Sequence, residues 1–337
     1  MKEILSILVD GSELSTAQME KAVGLLMDGH ATQAQIGAFL AALHAKGESV
    51  DELTAAVRII RSRAVGVPAE GPLLDTCGTG GDGRGTFNIS TATAFVAAAA
   101  GARVAKHGNR AASGRVGAAD VLEALGARID LNSEQALAVL EATEITFLFA
   151  PNFHPAFGHV AGARKELGFR TLFNLTGPLC NPAGVRRQLI GLFAREWTRP
   201  VAEVVKRLGC DHALIVHGAD GSDEITTTAS TFVVEVVGDS IEEYSVSPPD
   251  FGLEFAQAAD LRGGDADANA GILRAVLGGE AGAAADVVAL NAGAAIYVAG
   301  KAVGIAEGVN RARGLMKAGV PAEILQAFIT ATREVGA

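Results

Sequence analysis

Between Asp75 and Thr91 the chain reads DTCGTGGDGRGTFNIST. Five glycines fall within the eight residues Gly78–Gly85, directly after an apolar run, and Thr86, Asn88, Ser90 and Thr91 open the next one. A segment so rich in glycine cannot be strand or helix interior, so it must be a loop that leaves a strand and enters a helix. Glycine lets backbone N–H groups approach an anion, and hydroxyls at a helix start add donors there. A second stretch of this kind, KHGNRAASGRVG, runs from Lys106 to Gly117. Two anion cradles about twenty residues apart predict a ligand with more than one phosphate. The plainer readings are a tight turn for the first stretch and a solvated basic loop (Lys106, His107, Arg110, Arg115) for the second. They account less well for so many glycines placed side by side with a basic run.

Gly78-x-Gly80-x-x-Gly83 matches a dinucleotide fingerprint, but Phe95 to Gly108 contains no Asp or Glu to hold a ribose. A nicotinamide-dependent dehydrogenase is therefore disfavoured. Asp82 would repel a bare pyrophosphate and suits a sugar hydroxyl or a metal ion. Lys106 ends a predicted strand, where its ammonium can meet phosphate.

The remaining segments set the architecture. Ser15…Gln18, Thr32…Gln35 and Ser49…Glu52 are capping-box patterns, each followed by an apolar stripe at helical spacing. They predict three short helices over the first 63 residues, with stripes that also face another part of the protein or a second subunit. Val65–Pro72 reads as a linker. From Leu73, short apolar runs (Leu73–Thr76, Arg103–Ala105, Thr146–Phe149, Leu189–Phe193, Ala213–Val216) alternate with helical ones (Thr91–Ala100, Ala118–Leu125, Ser133–Thr143). Thr231–Val237 and Ile241–Val246 flank Gly238-Asp239 as a hairpin, and the chain beyond about residue 267 is helical. The predicted fold is α/β: a small N-terminal α-helical domain (1–64), joined in space by helices within about 155–185, and a large domain (73–337) with a central, mostly parallel sheet surrounded by helices.

With 49% hydrophobic and 20% charged residues, 337 residues suffice for such a pair of domains. A net charge of −10 argues against general binding to nucleic acid or acidic membranes. Cys77, Cys180 and Cys210 are odd in number and widely spaced, which predicts reduced thiols in a cytoplasmic protein. The N-terminus has acids and no long apolar core, unlike a signal peptide. Ala92–Ala100 is too short to span a bilayer, and Asp286 interrupts the apolar C-terminal run.

GTGGD, the TFNIST that follows, and KHGNR with a downstream AD-V-LEALG resemble the anthranilate phosphoribosyltransferase family of tryptophan biosynthesis. The similarity continues through Phe149–His154, Arg164, Arg170–Pro182, His217-Gly218 and Asp223-Glu224, and so covers nearly the whole chain. The resemblance implies that Gly78, Gly81, Asp82, Thr86, Asn88, Ile89, Ser90 and Thr91 hold phosphoribosyl pyrophosphate. Lys106, His107, Gly108, Asn109, Arg110, Ala111, Ala112, Ser113, Gly114 and Ala118 would wrap its phosphates. Ser90, Asp223 and Glu224 would serve Mg2+. Gly78, Asn109, His154 and Arg164 would hold anthranilate. The resemblance further implies a homodimer through the helical domain and, as a candidate partner, a separate glutamine amidotransferase subunit of anthranilate synthase.

The residue types fit that chemistry. A donor with a 5-phosphate and a 1-pyrophosphate needs two cradles. Departure of pyrophosphate from C1 builds charge that magnesium and Lys106 can stabilise, which makes Lys106, Asp223 and Glu224 the catalytic candidates. Arg164 can grip a carboxylate bidentately. The acceptor amine is neutral at pH 7, so no strong general base is required. His107 reads as structural. The second cradle departs from the usual family pattern, with Ser113-Gly114 for a Ser pair and Gly117-Ala118 for Gly-Ser, which predicts weaker donor binding. Two rivals share the fold by family knowledge. A pyrimidine nucleoside phosphorylase would leave the Asp223-Glu224 pair without a use. A non-catalytic nucleic-acid-binding relative conflicts with the net charge.

Overall fold

The computed structural model describes residues 1–111 and 116–335. Four helices open the chain: α1 (Lys2–Val9), α2 (Thr16–Met27), α3 (Gln33–Lys46) and α4 (Val50–Ser62). Ser15, Thr32 and Ser49 each cap a helix reciprocally with Gln18, Gln35 and Glu52, so α2 to α4 start where the capping boxes place them. The sequence predicts three helices here, and the fourth is α1. It has no side-chain cap and only eight residues, and burial of Ile4 and Leu8 holds it in place. Glu52 is fully buried and accepts from the Leu14 backbone N–H (2.9 Å) and Lys46 Nζ (2.8 Å), tying α2's entry to α4.

The rest alternates strand and helix. In order come β1 (Leu73–Asp75), α5 (Ile89–Ala99), β2 (Arg103–Gly108), α6 (Ala118–Leu125), α7 (Ser133–Thr143) and β3 (Ile145–Phe149). There follow α8 (Ala150–Phe153), α9 (Gly158–Leu167), α10 (Leu172–Thr176), β4 (Arg187–Gly191), α11 (Thr198–Arg207) and β5 (His212–Gly218). The hairpin β6 (Thr231–Val237) and β7 (Ser240–Val246) turns at Gly238-Asp239 as predicted. Helices α12 (Ala266–Leu277), α13 (Ala283–Val298), α14 (Ile305–Lys317) and α15 (Val320–Glu334) complete the described chain.

The strands form one sheet in the order β3-β2-β1-β4-β5-β6-β7. The first five are parallel, and β6 and β7 form an antiparallel hairpin that extends the sheet from β5. The chain builds outward from β1 to β3 and then returns to add β4 on the other side of β1. The loops after β1 and β4 therefore diverge, and a crevice opens at the carboxyl ends of those two strands.

Alternation along the strands divides the core between the two faces. Leu214 and Val216 of β5 face the α/β core with α5 and α13. Ala213 and Ile215 face α11, the N-terminal helices and Leu172, Phe173 and Leu179. The stripes of α2 to α4 thus pack against α11 and the segment 160–180. Residues 65–67 are anchored as well: the Val65 N–H donates to Phe153 O (2.8 Å) and that of Val67 to Pro182 O (3.1 Å). Helix α13 is buried along almost its whole length, and α14 crosses it so closely that a Cβ on Gly308 would lie 2.1 Å from Gly293 O. Cys180 and Cys210 are buried free thiols, their pKa values pushed up to about 12 by desolvation. No helix among the described residues is long and apolar enough to cross a membrane.

Candidate active site

The first cradle leaves β1 and lies across the end of β4. The Thr79 N–H donates to Gly191 O (2.8 Å), and the Thr79 hydroxyl accepts from the Phe193 N–H (3.0 Å). Gly80, Gly81, Gly83 and Gly85 take φ values of 65–74°, the left-handed region that glycine adopts without strain. The loop wraps the Asp223 carboxylate, whose Oδ2 accepts from the Gly80 N–H (2.7 Å). A Cβ on Gly191 would lie 1.4 Å from Asp223 O, so β4 must end in glycine for the acid pair to approach it.

Three acids meet at this loop. Burial and then the Asp82 charge push Asp223 up to about 7. Glu224 is raised well above the usual carboxylate range by burial and by Asp223, with Lys106 opposing. Asp82 Oδ1 accepts from the Arg84 N–H (3.0 Å), while its Oδ2 is buried without a hydrogen-bond partner. Crowded, desolvated carboxylates with an orphaned oxygen suit a divalent cation that takes its other ligands from phosphate and water. Among the described residues no three or more His, Cys, Asp or Glu side chains are arranged to hold a metal ion by themselves.

Lys106 differs from its sequence-based placement. It lies within β2 rather than at its end and is 4% exposed, with Nζ beneath the cradle. Nζ donates to Thr76 O (3.1 Å), Thr76 Oγ1 (3.3 Å) and Ser90 Oγ (3.3 Å). Its charge reaches the site through Ser90 because β2 runs parallel to β1 inside the sheet. Asp75, fully buried beside it, is pushed up to about 6 by burial, and Lys106 opposes that shift. The Asp75 carboxylate accepts from the His107 N–H (3.2 Å) and Asn181 Nδ2 (2.8 Å).

Helix α5 begins at Ile89, two residues before the predicted Thr91, so Ser90 and Thr91 lie in its first turn. The side chains of Ile89 and Thr91 are buried, leaving Thr86, Asn88 and Ser90 partly open. Arg110, expected within the phosphate-wrapping segment, is held by α6. Its guanidinium is paired with Asp120 (2.8 Å) and Glu123 on α6, and lies over the Phe149 ring. Asp120 also accepts from the Ala111 and Gly117 N–H groups (3.3 and 2.8 Å), tying the middle of the second cradle to its end. A Cβ on Gly117 would lie 2.5 Å from Ala111 N, which explains the glycine before Ala118. Ala112, Ser113, Gly114 and Arg115 lie outside the described residues.

Of the expected acceptor residues, His154 and Arg164 belong to one chain of rings. His107 Nδ1 is 3.2 Å from Gly177 O, and the His107 and His154 rings lie 5.2 Å apart. Phe157 follows at 5.8 Å from His154, then Phe173 at 5.2 Å from Phe157, with the Arg164 guanidinium over Phe173. Burial and then His154 push His107 down to about 3, and burial lowers His154, so both are neutral at pH 7. Among the described residues no carboxylate pairs with Arg164, whose pKa burial lowers. Asn109 Oδ1 accepts from the Arg110 N–H (2.7 Å).

A model of the glycosyl transferase family, helical bundle domain, matches residues 2–64, and one of its a/b domain matches residues 70–322. An anthranilate phosphoribosyltransferase of Rubrobacter xylanophilus is 52% identical over 99% of this chain and 98% of its own. The chain belongs to the anthranilate phosphoribosyltransferase family. The crystal structure of the family member from Thermus thermophilus superposes with a TM-score of 0.93 at 42% identity, covering 98% of this chain and 99% of that one. The Saccharomyces cerevisiae member, in complex with PRPP and Mg, gives 0.91 at 26% identity over 98% and 97% of the two chains.

Three further residues at this site carry weak sequence signals. Arg170 donates to Gly81 O and lies over Phe193, joining the segment after α9 to the cradle. Asp220 accepts from Thr226 and Thr228 and pairs with Arg84 (3.3 Å). Asn291, buried in α13, donates to Ile225 O (2.8 Å) and accepts from the Ile225 N–H (3.0 Å), fixing the residue after Glu224. Only a lone polar residue in an apolar run marks Asn291 in sequence.

Proposed function

We propose that this chain transfers the phosphoribosyl group of 5-phosphoribosyl 1-pyrophosphate to the amine of anthranilate, giving N-(5-phosphoribosyl)anthranilate and pyrophosphate. Family membership over the whole chain supports the reaction. The observation that carries it in the structure is the meeting of the glycine cradle with Asp82, Asp223 and Glu224 at the β1/β4 crevice. The C1–O bond to pyrophosphate breaks, the C1–N bond forms, and the amine gives up one proton to solvent. Magnesium is the cofactor; Ser90, Asp223 and Glu224 would hold it, and it would supply positive charge to offset that developing on the departing pyrophosphate.

The chain's own groups orient the reactants. Backbone N–H groups of the Gly78–Gly85 loop and the start of α5 bind the donor. Lys106 holds Ser90 in place from below and adds positive potential under the leaving group. His154 and Phe157 offer an apolar wall to the acceptor ring, and Arg164 its guanidinium to the carboxylate. We read residues 1–64, with helices within 155–185, as one unit that closes on the donor domain. The same reading includes a homodimer through those helices, a cytoplasmic location, and an anthranilate synthase amidotransferase subunit as a candidate partner.

The test is loss of anthranilate fluorescence with phosphoribosyl pyrophosphate and magnesium, with EDTA and the D223N/E224Q variant as controls. Magnesium-dependent loss that the variant abolishes supports the reading. Absence of turnover at saturating donor overturns it.

A further inference from the structure

The first cradle rests on a segment far along the chain. The Phe87 N–H donates to Leu261 O (3.1 Å), the Gly263 N–H donates to Gly85 O (2.9 Å), and Thr86 and Arg262 form an antiparallel bridge. A Cβ on Gly263 would lie 3.0 Å from the Phe87 backbone and 2.7 Å from Asn269 Oδ1, so the contact is backbone on backbone. Asn269, in the first turn of α12, is 2% exposed, and a buried amide needs partners for both its ends.

Those partners fix its orientation. The Gly264 N–H can only donate, so the Asn269 atom that faces it at 2.8 Å is Oδ1. Its NH2 therefore faces Asn88, and the Asn88 atom that receives it at 3.0 Å is Oδ1. The Asn88 NH2 must then point the other way, where it donates to Val116 O (3.2 Å) at the end of the second cradle. The polarity of one backbone N–H thus passes through two side-chain amides and emerges as a donor between the cradles. Asn88 is the N-cap residue of α5 yet makes no side-chain cap bond, because its amide is committed to this relay.

We propose that Asn269 is a positioning residue for the phosphoribosyl donor: it holds Asn88 with its NH2, not its carbonyl, toward the donor's phosphate. The inference rests on the donor-site reading above. On donor binding, the Asn88 NH2 exchanges Val116 O for a phosphate oxygen, and Asn88 need not turn over.

The experiment compares N269D, N269L and N88A with wild type at pH 8. It measures donor and anthranilate KM, kcat, donor binding by calorimetry with magnesium, and Tm. The carboxylate that N269D introduces still accepts from Gly264 but shows Asn88 a second acceptor, so Asn88 turns over and presents its carbonyl to phosphate. The apolar side chain of N269L leaves Asn88 free to find either orientation. N269D should raise donor KM about tenfold or more, the scale of one lost hydrogen bond to a charged group. N269L should raise it only about two- to threefold even if it lowers Tm as much, since rotation about one bond restores the donor. Anthranilate KM should stay within about twofold in both, since the relay does not reach that site. An N269L defect as large as that of N269D, or defects that follow Tm, would overturn the relay. Wild-type donor KM in N88A, with the enzyme turning over, would remove Asn88 from the donor site and the relay with it. Absence of wild-type turnover would instead overturn the reaction.

Discussion

Replacing Asp223 by Asn should stabilise the ligand-free protein, although it removes a catalytic candidate. Asn keeps an oxygen for the Gly80 N–H and discards the charge that burial and Asp82 oppose. A carboxyl raised from 3.8 to about 7 stays protonated in the folded state where the unfolded chain is ionised. The resulting penalty is absent below about pH 4, grows between about pH 4 and 7, and is complete above that window. At about 1.4 kcal/mol per pH unit its upper bound is about 4 kcal/mol, and the partial exposure of Asp223 brings it toward about 2. For a chain of this size that is about 3–6 °C in Tm. Asp75, raised to about 6, titrates alike in both proteins and cancels from the comparison, whereas Glu224, held up in part by the Asp223 charge, is relieved in the variant and adds to its gain. Thermal unfolding in EDTA from pH 4 to 8 should show D223N gaining on wild type through the window. Magnesium with phosphoribosyl pyrophosphate should then stabilise wild type and not the variant. A D223N advantage that does not grow with pH, or a variant less stable at pH 8, would refute the account of crowded acids awaiting a cation.

Three other outcomes can be checked by kinetics and unfolding. Gly191→Ala places a methyl group 1.4 Å from Asp223 O, so activity should fall at least about 100-fold with a loss of stability above about 3 kcal/mol; near-normal turnover would contradict the packing. Asp120→Ala removes one of the two carboxylates on Arg110 and releases Ala111 and Gly117, and donor KM should rise about tenfold with anthranilate KM unchanged. Restoring hydroxyls with G114S/A118S should lower donor KM several-fold by about one hydrogen bond each; an unchanged KM would show that the departures from the family pattern are silent.

The sequence by itself determined the local structure and the chemical class. Capping boxes set the starts of α2, α3 and α4, because a cap is a contact over three residues. Strand and helix alternation marked β1 to β5, and the glycine run marked the cradle, because backbone conformation restricts residue choice locally. Ordered motifs along the chain pointed to the family. The unsignalled α1 escaped, since burial rather than capping holds it.

Tertiary structure alone decided which loops meet. Strand order put the ends of β1 and β4 side by side, and so brought Gly80 to Asp223, 143 residues away in sequence. It buried Lys106 beneath the cradle, turned Arg110 onto Asp120 and Glu123, and laid Leu261–Asn269 against Gly85–Asn88. Such contacts depend on sheet topology and close backbone approach. The sequence shows only isolated traces of them, such as Gly191, Gly263, Asn269 and Asn291, each of which acquires its meaning from a partner far along the chain.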